Sequence, residues 1–322
     1  MYPDNLVGFW SGLYHSETWV CDTGSTLVDH VCIKANCPAN YKLSGNYPNW
    51  ICTNQDIFTI TLSGGNTTEP WNKKHDASHL QANLPFLAIV KDQNGQAKPG
   101  VNVSISSDVT PDTGGHIHND GRPKGKLVPN PTGAGLSTGA ASISGQTDGS
   151  GQFSFTFGAE EASGEHTLTA TCTGCTAPAN ATVNVLIPGL TLLGVDPANY
   201  DLQGYKDWHP GDHYFSEAAV VKIINLAHAY RLAPDFNHQL LIINDSSLVK
   251  GGVFDLGQDW TYEDNGHQGH RKGIVVDINN FRDGSDPRFE RLAARFRITA
   301  KWEGPDVTAT PHYHLWLLGR DE

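Results

Sequence analysis

Between residues 84 and 188, apolar and polar side chains alternate with a period of two. PFLAIVKD (85–92), VNVSISSD (101–108), GQFSFTFG (151–158), HTLTATC (166–172) and ATVNVLIP (181–188) all show it. That period sends successive side chains to opposite faces of a strand, and one face must find a core. Gly, Asn and Asp punctuate the runs at DQNGQ and TDGSG, where turns are needed. About seven short strands in roughly 100 residues predict a β-sandwich.

The string KDQNGQAKPGVNVSIS, followed by TDGSGQFSFTF and GEHTLTATC, resembles the bacterial immunoglobulin-like domains of surface and cell-wall proteins. The resemblance implies a fold over residues 84–188 and leaves function open. Within this segment GGHIHNDGRPKG places His116 and His118 two apart. On a strand they would share a face and could bind metal. The competing reading is a polar loop that happens to hold two histidines.

Residues 1–72 differ. They carry Cys21, Cys32, Cys37 and Cys52, and Trp10, Trp19, Trp50 and Trp71 of the eight Trp. GFWSGLY and DIFTITLSG read as strands. A β-rich module stapled by disulfides is predicted, with three pairings of the four Cys left open. The group has no C-x2-C pair, which argues against zinc. The Trp residues could stack on sugars, but packing a small core is the preferred role. Cys172 and Cys175 form CTGC between two strand-like runs. A turn-stapling disulfide fits that context, whereas a redox pair would precede a helix. Six Cys used this way imply an extracytoplasmic protein: periplasmic, surface-bound or secreted. The start MYPDNLVGFW lacks a basic segment and an apolar run, so a leader would have to be absent from this chain.

A net charge of −12 without a basic cluster argues against nucleic acid as partner. No apolar run reaches the ~18 residues of a membrane-spanning helix.

Residues 198–322 read as a third domain, α+β in class, with 187–200 as linker. SEAAVVKIINLAHAYRL (216–232) is a helix pattern. Ser216 stands at its N-cap, Arg231 in its last turn, and Ala219, Ile223, Leu226 and Tyr230 on one face. A strand QLLIIND, a Gly-rich loop, a strand GIVVDI, a helix DPRFERLAARFR and a strand HYHLWLL follow.

This domain holds His209, His213, His267, His270, His312 and His314 of the fifteen His. Asp277 lies among Ile274, Val275, Val276 and Ile278. A carboxylate there must be protonated, paired with a cation such as Arg271, or bound to metal. His312 and His314, two apart on a strand, face the same side about 7 Å apart. One can bind a metal while the other reaches the metal-bound water; with His270 and Asp277 this offers two His and one carboxylate as ligands, plus a position for water. That donor set is typical of catalytic zinc.

NDSSLVKGG (244–252), GHQGHRKGIVVDI (266–278) and HYH (312–314) together resemble the penicillin-insensitive murein endopeptidases. These belong to the zinc peptidases that include D-Ala-D-Ala carboxy- and dipeptidases. The resemblance covers roughly residues 205–318. It implies Zn2+ held by His270, Asp277 and His314. His312 would sit beside the metal-bound water as base or transition-state stabiliser, and His267 would be an accessory catalytic residue. Asp245 and Ser247 would shape the site or the substrate cleft. Arg271 stands where the family has Gln, Gly269 where it has Ser, and Val275 where it has the first Asp of DVD. Arg271 would then meet a substrate carboxylate or pair with Asp264 or Glu263.

Two functions follow as expectations. One is a zinc peptidase or amidase that cleaves peptide cross-links of peptidoglycan, or acts on another cell-surface polymer, targeted by its β-modules. The other is an extracellular binding or structural protein whose peptidase-like domain is degenerate. A cupin would want its HxH earlier in a barrel, so it is disfavoured.

Overall fold

The computed structural model describes residues 56–73, 76, 82–130, 139–204, 206–255, 257–258, 260, 267–304 and 310–319. Before residue 56 it describes only the backbone of β1 (Thr26–Val28), β2 (Val31–Ile33), β3 (Tyr41–Ser44) and β4 (Ile51–Asn54), paired β1 with β2 and β3 with β4. Cys21, Cys37, Trp10, Trp19 and Trp50, and the side chains of Cys32, Cys52 and His267, lie outside the described residues.

The alternating runs form a two-sheet sandwich. Its strands are β5 (Phe58–Gly64), β6 (Thr67–Thr68), β7 (Asn83–Asp92), β8 (Asn102–Val109), β9 (Lys126–Pro129), β10 (Ser142–Gln146), β11 (Gln152–Gly158), β12 (Gly164–Cys172) and β13 (Ala179–Val185). One sheet runs β10-β8-β12-β13-β6, the other β5-β7-β11-β9. Phe153, Phe155 and Phe157 of β11 point inward with Phe86 and Val90 of β7. They meet Ile105, Leu168 and Val183 of the facing sheet. Each large side chain buried this way contributes roughly 1.5–3 kcal/mol.

The sandwich begins earlier than residue 84. Strand β5 pairs with β7 from Phe58↔Asp92 to Gly64↔Phe86, and β6 lies parallel to β13. Phe58 and Ile60 alternate inward like the strands they join. The 1–72 boundary follows Cys and Trp content, whereas periodicity places DIFTITLSG in the sandwich. Trp71 belongs with it too: it packs against the sandwich core, and its indole N–H donates to Asp76 O at 2.7 Å. Cys172 and Cys175 are disulfide-bonded across the turn after β12, as the strand–turn–strand flanks predict.

The C-terminal domain contains β14 (Leu190–Leu192), β15 (Tyr200–Leu202), β16 (Tyr214–Ser216), α1 (Glu217–Leu232), β17 (Leu241–Ile243), β18 (Val275–Ile278), α2 (Pro287–Arg295), β19 (Thr299–Glu303) and β20 (His312–Trp316). The 187–200 segment is therefore more than a linker. Its β14 pairs with β16, and Leu193 enters the domain core. Ser216 is the N-cap of α1, but its side chain makes no capping bond. In α2, Asp286 does cap, accepting from Arg288 N.

The main sheet runs β15-β17-β18-β20-β19. Val276 and Ile278 of β18, with Tyr313 and Leu315 of β20, join Ile223, Leu226 and Tyr230 of α1 and Phe289 of α2 in one core. By the strand period, Asp277, His312 and His314 then occupy the opposite face.

Backbone bonds join the two domains. Val253 N donates to Glu161 O at 2.9 Å, and Ile187 N to Lys250 O at 2.8 Å. Gly252 bridges Ala162 with φ +80, and a Cβ there would lie 2.8 Å from Glu161 O. Only glycine allows that approach.

Candidate metal centre

Strand register assembles the first site. Asp277 of β18 is the direct partner of His314 of β20. His314 Nδ1 lies 3.1 Å from Asp277 Oδ1. His312, two residues earlier, shares their face, and its Nε2 is 3.5 Å from Asp277 Oδ2.

His270 arrives from a different element, the 3-10 helix His267–Lys272 that leads into β18. Gly273 ends that helix at φ +63, so close to the β16 backbone that a Cβ would lie 2.8 Å from Phe215 Cα and 2.9 Å from Tyr214 O. The turn brings His270 Nε2 to 3.4 Å from Asp277 Oδ1. His270 Nδ1 donates to Ser246 O at 2.8 Å. A carbonyl only accepts, so this contact fixes the proton on Nδ1. In the neutral ring Nε2 then presents a lone pair to a buried carboxylate. Such a pairing is repulsive unless a cation lies between them.

The donor set fits zinc. His270 Nε2, Asp277 Oδ1 and His314 Nδ1 lie mutually within 4.8 Å, and all three residues are buried. Zinc bonds of about 2.0–2.1 Å place neighbouring ligand atoms of a tetrahedron roughly 3.3–3.4 Å apart, near the spacings above. The Ser246 carbonyl supplies the outer contact that orients a ligating imidazole.

His312 is the most exposed of the three histidines. Its Nδ1 donates to Thr310 O at 2.7 Å, which leaves Nε2 as the nitrogen that faces Asp277. Glu303, its register partner on β19, lies 3.9 Å from Nε2; residue patterns alone gave no signal for it.

Asp245 lies on the segment after β17, where its carbonyl accepts from Asp277 N at 3.0 Å. Burial, reinforced by the Asp277 and Asp212 carboxylates, holds its carboxyl well above the usual range. Ser247 is fully buried, and its hydroxyl has no hydrogen-bond partner among the described residues. His213 Nδ1 lies 2.8 Å from Asp212 Oδ1.

Of the partners the sequence suggests for Arg271, Glu263 and Asp264 lie outside the described residues. Its guanidinium is buried, and Nη2 donates to Pro70 O at 2.7 Å and Trp71 O at 3.3 Å. It ties the start of the sandwich to the segment that carries His270.

A second cluster joins His116 and His118 to His209 and Asp255. The first pair is noticeable in the sequence. Nothing in the sequence links it to the other two.

No protein-family model matches the chain, and no curated protein matches it. Among solved structures, the D00-D0 domain of intimin is 17% identical over 48% of this chain and 70% of that one, with a TM-score of 0.25. The adhesin InvE of Yersinia pseudotuberculosis is 12% identical over 52% and 46%, with a TM-score of 0.29. Domains 4 and 5 of the S-layer protein SbsC are 18% identical over 50% and 64%, at 0.25. The matched part is thus less than two thirds of the InvE and SbsC structures. Likenesses this low carry no argument about the activity of the chain.

Proposed function

We propose that the C-terminal domain is a zinc-dependent peptidase or amidase acting on peptide cross-links of peptidoglycan. The β-rich front end would hold it at that polymer. The reading rests on one observation above the others: His270 Nε2, Asp277 Oδ1 and His314 Nδ1 lie mutually within 4.8 Å in a buried group, with His270 Nδ1 held by Ser246 O at 2.8 Å.

His270, Asp277 and His314 would hold the metal. Bound zinc supplies a water of lowered pKa and polarises a carbonyl. His312 would move a proton at Nε2, held in orientation by the Thr310 carbonyl. A protonated Asp245 would keep the charge next to Asp277 from building up. The turn disulfide at Cys172 and Cys175 supports an extracytoplasmic setting. Among the described residues no helix is long and apolar enough to cross a membrane.

Purified peptidoglycan incubated with the full chain should lose cross-linked muropeptides, read by mass spectrometry. His314→Ala and chelation should both stop the loss. A fully zinc-loaded chain that leaves peptidoglycan intact would sink the reading.

That outcome would favour an extracellular binding or structural protein with a silent peptidase-like domain. Arg271 speaks for this second reading. Its guanidinium, one residue after His270, donates to the Pro70 and Trp71 carbonyls.

A further inference from the structure

The second cluster is built from both domains. His116 and His118 stand on the connection between β8 and β9 of the sandwich. His209 stands between β15 and β16, and Asp255 follows the Gly252–Val253 contact with the sandwich. The Ile117 N–H donates to Trp208 O at 3.0 Å, which brings the two histidine segments together.

Four atoms converge. His116 Nδ1 lies 3.2 Å from His118 Nε2 and 3.1 Å from His209 Nε2, and those two are 3.2 Å apart. Asp255 Oδ1 lies 3.5, 3.5 and 3.3 Å from the same three nitrogens. All pairwise spacings are thus nearly equal, which defines a tetrahedron. Its edges match the roughly 3.3 Å expected for ligands about 2.0–2.1 Å from a common zinc ion.

Hydrogen bonding does not account for this arrangement. Each neutral imidazole has one N–H and one lone pair. Among the described residues the outer nitrogens, His116 Nε2, His118 Nδ1 and His209 Nδ1, are buried without hydrogen-bond partners, and so is Asp255 Oδ1. Protonating the inner nitrogens instead would crowd three N–H groups around one carboxylate oxygen. Buried polar groups left in that state are costly. A cation at the common point of the four inner lone pairs removes the conflict among the inner atoms, with each ring's proton on its outer nitrogen.

We propose that His116, His118, His209 and Asp255 form a closed structural site for zinc, or a similar tetrahedral divalent transition metal, that fastens the β-sandwich to the C-terminal domain. Four protein donors leave no position for water, in contrast to the three-donor centre at Asp277. Side-chain exposures of 0, 7, 0 and 0% fit a structural role. Trp260 packs on His116 and His118 with centroids 4.7 and 4.3 Å away, and its indole N–H donates to Asp120 O at 2.9 Å. Phe254 backs His209 at 5.3 Å and His270 at 5.9 Å, so one ring walls both centres.

The test uses the full chain, stripped with a chelator and titrated with Zn2+ alone or Co2+ alone. Wild type should take up two equivalents, and His314→Ala one. The Co2+ retained by His314→Ala should show the intense d–d absorption of a four-coordinate tetrahedral ion. Adding His118→Ala should abolish it, and Asp255→Asn serves if that chain does not fold. A His314→Ala chain that binds no Co2+, or binds it unchanged with His118 or Asp255 altered, overturns the proposal. Failure of the peptidase reading is separate, because it is read on peptidoglycan with this site intact.

Discussion

Asp277 and His314 face each other across the β18–β20 pair, with Oδ1 and Nδ1 3.1 Å apart. Neither side chain points into the apolar core that their neighbours Val276, Ile278, Tyr313 and Leu315 fill. The aspartate in an apolar run is thus on the face where the histidines gather, and its surroundings follow from register.

His312 should separate metal binding from chemistry. His312→Ala is expected to keep zinc at wild-type occupancy while lowering cleavage of peptidoglycan about 10²–10⁴-fold. Metal analysis alongside activity checks it. Loss of zinc in this variant would make His312 a ligand instead.

Gly273 should tolerate no side chain. A Cβ would meet Tyr214 O and Phe215 Cα within 2.9 Å, both main chain, at φ +63. Gly273→Ala should cost on the order of 1–3 kcal/mol, seen as a lower urea midpoint. Zinc affinity at the Asp277 centre should fall with it, because the turn positions His270. An unchanged midpoint would refute this.

Arg271→Met should reveal what the guanidinium does. Removing the donor to Pro70 O leaves a buried carbonyl unpaired, a loss of about 1–3 kcal/mol in unfolding free energy. The KM for a peptide substrate should stay the same. A raised KM with unchanged stability would instead place a substrate carboxylate on Arg271.

His166 should give the sandwich an acid limb. It is buried beside Phe157, neither ring nitrogen has a hydrogen-bond partner among the described residues, and burial lowers its pKa to about 4. The unfolded chain, with a His near 6.5, binds the proton more readily. Stability is therefore full above about pH 6.5 and falls as pH drops toward 4, by on the order of 3 kcal/mol. His166→Phe should flatten that limb in urea titrations at several pH values. An identical slope in the variant would rule out His166 as its source.

Some of this architecture was legible in the sequence because its signals are local. A period of two marks Phe153, Phe155 and Phe157 as one face of a strand wherever that strand lies. A period near four marks Ala219, Ile223, Leu226 and Tyr230 as one face of α1, and all four are buried. HxH on a strand puts His312 and His314 on the same side. The sandwich's true start at Phe58 was also periodic, but Cys and Trp content drew the boundary elsewhere.

What tertiary structure alone decided is which distant residues meet. His116 and His209 are 93 residues apart and belong to different domains, yet their nitrogens lie 3.1 Å from each other. Asp255 has no local pattern around it that marks a ligand. Arg271 reads as a free cation until Pro70 O is found 2.7 Å away. The sequence by itself determined the strands, the main helix and the residue types able to bind metal, since backbone preference and side-chain period act over a few residues. Which of those residues share a centre depends on strand register and on how two domains dock, and that is set by packing across the whole chain.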